Sequence, residues 1–159
     1  MIKLIILDVD GTLTKGGILI GNSGEEFKEF NVKDGYMIAS ARKKCGKIFA
    51  IITGRNSKIV SIRAKELGIT HLYQGIDDKI VVYEQLKKEL NITDEETAYI
   101  GDDLNDFEVM KRVGLVGAPA DACREILETA DFVSSKNGGE GAVREFLEYI
   151  LKKENFTQI

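Results

Sequence analysis

Short apolar runs that stop abruptly at acidic or glycine-rich clusters, separated by helical stretches, constrain this chain most. Residues 2–7 are apolar and rich in branched side chains, and they end at Asp8-Val9-Asp10-Gly11-Thr12. Residues 47–52 form a second such run, ending at Thr53-Gly54-Arg55. Residues 97–100 form a third, ending at Gly101-Asp102-Asp103-Leu104-Asn105-Asp106. Runs of this length bounded by turn signals predict buried strands. Shorter strands are predicted at 72–73, 115–117 and 132–133. Between them the apolar spacing becomes helical, with Val60, Ala64 and Leu67 on one face, and Tyr83, Leu86 and Leu90 on another. Helices are predicted at 34–44, capped by Asp34; from Asn56 or Ser57 to Gly68; at 77–90; at 105–112; and at 121–128. A last helix starts near residue 140. Two short runs flank Gly21-Asn22-Ser23-Gly24, which predicts a β-hairpin within 13–31. Strands alternating with crossover helices imply right-handed βαβ units. The expected fold class is α/β, a doubly wound, Rossmann-like parallel sheet in one domain over 1–159.

Composition removes several classes. The 159 residues are 43% hydrophobic and 30% charged, a globular balance with enough chain to bury a core unaided. Net charge is −4, so a general nucleic-acid partner is not expected. No apolar run approaches the roughly 20 residues that a membrane span requires. The N-terminal run ends in acids and not in a small-residue cleavage site, so no signal peptide and a cytoplasmic location are expected. Cys45 and Cys123 lack metal-type spacing and are expected as free thiols; the single His71 cannot build a His-rich metal site.

Ligands of open α/β sheets bind outside the carboxyl ends of the strands. Three polar clusters therefore converge on one crevice, and Lys79, at the start of a helix, can share its rim. Several carboxylates together stay ionised only with a neutralising cation. Oxygen donors without His or Cys favour a hard ion such as Mg2+. A lysine, a threonine hydroxyl and glycine amides beside that ion suit a phosphate. The combination describes metal-assisted phosphoryl transfer. Each piece alone has a plainer reading: a turn, a helix cap or a surface lysine.

In this order the motifs resemble those of the haloacid dehalogenase superfamily: Asp8-Val9-Asp10-Gly11-Thr12, then Thr53, then Lys79, then Gly101-Asp102-Asp103 with Asp106. The resemblance implies that Asp8 attacks phosphorus and that Asp10 is the acid and base. It implies that Thr53 and Lys79 bind phosphate. Asp8, the Asp10 carbonyl and Asp102 would hold magnesium, supported by Asp103 and Asp106. The intervals 13–52 and 55–79 leave no room for the cap domain that many members insert. Further strings resemble a capless group acting on eight-carbon sugar-acid phosphates. They are Phe30-Asn31-Val32-Lys33-Asp34-Gly35-Tyr36, Ile52-Thr53-Gly54-Arg55, Leu67-Gly68-Ile69-Thr70-His71-Leu72-Tyr73-Gln74-Gly75 and Gly138-Gly139-Glu140-Gly141-Ala142-Val143-Arg144-Glu145.

By that resemblance Gly11, Asn31, Val32, Lys33, Asp34, Gly35, Gly54, Arg55, Arg63, Lys79 and Asn105 surround substrate and phosphate. Arg55, with Arg63 as second candidate, would receive the substrate carboxylate. A related group acting on nine-carbon acids tends to carry an acid after Thr-Gly, so Arg55 favours the eight-carbon substrate. Ala39 departs from the basic residue often found there. The group further implies a homotetramer whose hairpin flap covers a neighbour's site, and a C-terminal tail, here 155–159, that folds over an active site. The alternative of another class is a receiver-like signalling domain, whose phosphorylated aspartate would end the strand where this chain has Thr53.

Overall fold

The computed structural model describes residues 1–156. Six parallel strands form the main sheet: β1 (Leu4–Leu7), β4 (Ile48–Ile52), β5 (His71–Tyr73), β6 (Thr97–Ile100), β7 (Leu115–Ala118) and β8 (Phe132–Val133). Their spatial order is β5-β4-β1-β6-β7-β8. The chain builds outward from β1 in one direction, then returns to build outward in the other. That reversal opens a crevice above the carboxyl ends of β1 and β6. The register aligns these ends, with Leu7 opposite both Ile51 and Ile100.

Both faces of the sheet are covered, so the central strands are apolar throughout rather than alternating. Ile5 and Leu7 pack toward α1 (Val32–Cys45), α2 (Lys58–Leu67) and α6 (Ala142–Lys153), among Ile38, Val60, Phe146 and Ile150. Leu4 and Ile6 point the other way, toward Tyr83 and Leu86 of α3 (Lys79–Leu90), Val109 of α4 (Phe107–Met110) and Ile126 of α5 (Arg124–Thr129). The period of two along β1 thus divides one strand between two cores.

The predicted hairpin is present and small. Leu19–Ile20 (β2) pairs antiparallel with Glu26–Phe27 (β3), Leu19 opposite Phe27 and Ile20 opposite Glu26. Between β1 and β4 there is otherwise only α1, and between β4 and Lys79 only α2 and β5. No cap domain stands in either interval. Ser57 caps α2 and Gly68 ends it in a left-handed turn, as expected.

Two boundaries differ from expectation. Asn31, not Asp34, caps α1, its Oδ1 accepting the Lys33 amide at 2.8 Å. Asp34 is in the first turn of α1 but serves another helix: its Oδ1 accepts the Arg144 amide of α6 at 2.8 Å. The helix expected at 105–112 is a 3-10 turn over Leu104–Asp106 followed by the single-turn α4. Asp103 and Asp106 form a capping box there, which tightens the chain before it turns helical. Cys45 and Cys123 are free thiols. Among the described residues no helix is long and apolar enough to cross a membrane.

Candidate active site

The carboxyl ends of β1, β4 and β6 supply the walls of one cavity of about 460 Å³. Asp8, Asp10, Thr53, Gly54, Arg55, Asp102, Asp103, Leu104 and Asn105 line it. Eight of these nine were expected from sequence.

The turn after β1 is built around one carbonyl. Val9 O accepts the amides of Thr12, Leu13 and Thr14 at 3.2, 2.9 and 3.1 Å. The Asp10 carbonyl is outside that set and remains available to a ligand. Gly11 has φ +94°, a region that side-chain-bearing residues rarely adopt, and a Cβ there would lie 2.0 Å from Asp102 Oδ2. Glycine therefore allows both the bend and the approach of Asp102. Thr12 Oγ1 donates to Asp102 Oδ1 at 3.2 Å, a tie between the two acidic motifs.

Beneath the cavity is a buried charge cluster. Lys79 Nζ donates to Asp8 Oδ1 and to Asp106 Oδ1, each at 2.6 Å. Tyr99 donates its hydroxyl to Asp106 Oδ1 at 2.5 Å. Asp106 Oδ2 accepts the Asp102 and Asp103 amides at 3.1 and 3.4 Å. Both oxygens of Asp106 are thus engaged. Asp106 anchors Lys79 and the Asp102 turn instead of facing a ligand.

Electrostatics follow from that burial. Desolvation and the Asp106 charge push Asp8 up to about 8, against the pull of Lys79. Desolvation and Asp106 likewise push Asp102 up to about 6, opposed by the Thr12 hydrogen bond. Burial works against the Lys79 ammonium, but Asp8 and Asp106 outweigh it and hold Lys79 above the usual lysine value. Tyr99 is raised by burial and by the same two aspartates. One lysine does not balance three carboxylates in a low-dielectric pocket.

A divalent cation is the natural counter-charge. Oxygens of Asp8, Asp102 and Asp106 lie within 4.8 Å of one another. With Asp106 engaged elsewhere, Asp8 and Asp102 are the carboxylates left to bind. One or two carboxylates, with open positions for water and phosphate, suit magnesium.

The model of the haloacid dehalogenase-like hydrolase family matches residues 23–147. The chain is a haloacid dehalogenase-like hydrolase. Curated relatives of this hydrolase include the 3-deoxy-D-manno-octulosonate 8-phosphate phosphatase KdsC of Escherichia coli K12. It is 50% identical over 150 residues, spanning 94% of this chain and 79% of the relative. The Yersinia pestis 3-deoxy-D-manno-octulosonate 8-phosphate phosphatase superposes with a TM-score of 0.95 at 49% identity, over 98% of this chain and 83% of that one. The Moraxella catarrhalis phosphatase, solved with magnesium, phosphate and KDO, gives a TM-score of 0.93 at 46% identity, over 98% of this hydrolase and 89% of that chain. The receiver alternative falls with this membership, and Thr53 ends β4 where it required an aspartate.

Of the expected substrate contacts of the hydrolase, Gly11 forms the turn and Lys79 sits beneath the cavity, and six more stand apart from its lining. Asn31 Nδ2 donates to Gly139 O at 3.1 Å, and Gly139 N donates to Thr12 O at 3.0 Å. Asn31 therefore braces the turn after β1 through one intervening residue. Val32 is exposed, and Lys33 lines a separate groove with Glu140 and Arg144. Asp34 is buried at the start of α6. Gly35 makes room for Arg63, whose Nη2 would lie 2.3 Å from a Cβ at that position. Arg63 pairs with Glu66 at 3.1 Å and lies over the Phe30 ring. The expected C-terminal cover also differs. Phe156 lies over Lys47, and Lys47 also bonds the Ile2 carbonyl, so this segment sits near the amino ends of the strands. Residues 157–159 of that expectation lie outside the described residues.

Sequence reasoning missed Tyr99 and Lys28. Tyr99 reads as one more apolar residue of β6, and only its buried hydroxyl gives it a polar role. Lys28 reads as one charge among many on the hairpin, yet its ammonium meets Asp10 Oδ1 at 2.5 Å.

Proposed function

We propose that this chain is a magnesium-dependent phosphatase of 3-deoxy-D-manno-octulosonate 8-phosphate, working through an aspartyl-phosphate on Asp8. The observation that carries the reading is Asp8 at the end of β1, held by buried Lys79 and facing a cavity shared with Asp10 and Arg55. The Moraxella relative was solved with magnesium, phosphate and KDO together, which supports the same ligand set here.

Asp8 forms its oxygen–phosphorus bond as the bond from phosphorus to the sugar oxygen breaks, and Asp10 gives that oxygen a proton. Asp10 then takes a proton from water, whose oxygen attacks phosphorus and releases Asp8. Two displacements replace one difficult step. Asp8, the Asp10 carbonyl and Asp102 would hold magnesium, with Asp103 and Asp106 behind them. The ion would supply charge neutralisation for attack by an anion on an anion. Lys79 keeps Asp8 oriented, and Thr53, Gly54 and Asn105, which line the same cavity, would hold the remaining phosphate oxygens.

Arg55 offers the rim a guanidinium suited to the substrate carboxylate. At present it pairs with Glu26 at 3.3 Å, so the substrate carboxylate would replace one carboxylate by another. We further read the hairpin as an oligomer contact. Leu19, Ile20 and Phe27 are each more than half exposed beside an open cavity, which supports a homotetramer with each hairpin over a neighbour's site. The free thiols fit a cytoplasmic location.

The test is phosphate release with magnesium from a panel containing the eight- and nine-carbon sugar-acid phosphates. The eight-carbon acid is expected to be strongly preferred. Preference for the nine-carbon acid would overturn the role given to Arg55, and silence across the panel would overturn the phosphatase reading.

A further inference from the structure

The hairpin carries a lysine whose burial its own strand pairing does not require. Its ladder pairs are Leu19–Phe27 and Ile20–Glu26, and the apolar residues of both strands face outward. Lys28, just beyond β3, nevertheless has a side chain only 1% exposed. An ammonium loses several kcal/mol of hydration on burial unless carboxylates replace the water. Two do: Asp10 Oδ1 at 2.5 Å and Glu26 Oε1 at 3.1 Å. Glu26 is held in turn by Arg55 at 3.3 Å. Asp10, Lys28, Glu26 and Arg55 thus form an alternating chain of charges from the catalytic turn to the rim of the cavity.

We propose that Lys28 is a positioning residue for Asp10, holding one carboxyl oxygen so that the other faces the leaving-group oxygen in the same subunit. The proposal rests on the reading of Asp10 as acid and base. A general acid works only within hydrogen-bond reach of the oxygen it protonates. Asp10 directly precedes Gly11, the bend of the turn, and its side chain is partly exposed, so an unheld carboxyl there would rotate. Lys28 takes Oδ1 and leaves Oδ2 to the cavity. In the first half-reaction the proton passes from that free oxygen to the sugar oxygen as its bond to phosphorus breaks, and Asp10 is left as a carboxylate facing the Lys28 ammonium. Glu26 fixes the lysine from the other side. By this account the hairpin completes the acid of its own subunit, whatever it covers in a neighbour.

The test is kcat/KM of Lys28→Met on the eight-carbon sugar-acid phosphate and on 4-nitrophenyl phosphate. This parameter reports steps only through departure of the leaving group, and nitrophenolate departs without a proton. The sugar phosphate should lose roughly 10²-fold, the scale of a misplaced acid, and the aryl phosphate at least tenfold less. Lys28→Arg should recover part of the sugar-phosphate rate. Equal losses on both substrates would mean a structural role only, since misfolding scales both alike, and would overturn the proposal. No loss on either would do the same. If the wild-type enzyme ignores the eight-carbon substrate, the substrate reading fails by itself. The same comparison then stands on any unactivated alkyl phosphate the enzyme hydrolyses. Inactivity of the wild type toward every phosphomonoester would remove both.

Discussion

Asp8 carries two demands that pull against each other. In the proposed mechanism it must be buried to hold a fixed line of attack, yet burial among carboxylates favours its protonated form, which would be unreactive. Lys79 answers part of this, and a cation held by the free oxygens of Asp8 and Asp102 would answer the rest. Asp8→Asn keeps the shape and removes the nucleophile, so phosphate release with saturating magnesium should fall by at least about 10³-fold. Gly11→Ala should be nearly as damaging, because a Cβ would occupy the place of an Asp102 oxygen in a backbone conformation that alanine resists. Its magnesium affinity, followed by calorimetry, should weaken along with its rate; intact affinity would show that the turn relaxes around the methyl group. Asp8, Asp10, Thr53 and Asp102 were legible in the sequence because each stands at or just after the end of an apolar run, where the fold class itself puts ligands. Lys79 was legible only in their company. Lys28 and Tyr99 were not, because their roles come from the direction of a side chain, which spacing does not encode. The same limit explains Asn31 to Gly35. That string marks the subgroup, yet its side chains cap helices, pack or face solvent.

The elements around the turn are tied by a few polar contacts. Asn31 joins α1 to the loop before α6, and Asp34 joins α1 to α6 itself. Asp34 has an unusual cost, since its Oδ2 is buried without a hydrogen-bond partner among the described residues. Burial pushes its carboxyl up to about 6, against the amides at the start of α6. The folded pKa exceeds the unfolded one, so the folded state binds the extra proton between about pH 4 and 6. Stability from this group is therefore greatest in acid and falls as pH rises through that window. The loss is on the order of 3 kcal/mol at neutral pH. Asp34→Asn keeps an acceptor for the Arg144 amide and carries no charge. Its thermal midpoint at pH 7.5 should exceed that of the wild type by several degrees, with the gap closing by pH 4. A lower midpoint at pH 7.5 would show that the charge is net favourable at the helix start. Strand positions could be read to within a residue or two from apolar runs. Helix starts were harder: Asn31 and Asp34 are both good capping residues, and only tertiary structure decides which helix each one serves.

Across the whole molecule, strand order sets the chemistry. Reversal at β1 brings three motifs, distant in sequence, to one crevice, and the alternation of strands with helices was enough to expect it. The proposed tetramer was not legible in that alternation; the structural support for it is an apolar strip on a two-stranded hairpin too small to be stable alone. Sedimentation of the wild-type protein should give the mass of four chains, and Leu19→Asp with Phe27→Asp should shift it downward. A wild-type monomer would contradict the proposed assembly without touching the catalytic turn. Arg55→Ala should raise KM for the eight-carbon acid phosphate by about tenfold and change that for an aryl phosphate far less. Similar changes on both would assign Arg55 to the phosphate instead. The central claim is the covalent role of Asp8. Its most direct test is an acid quench of magnesium-loaded enzyme turning over the eight-carbon substrate labelled in its phosphoryl group, followed by peptide mapping. The account predicts label on the peptide that contains Asp8, and none in Asp8→Asn. Label on another peptide, or turnover that persists in Asp8→Asn, would contradict it.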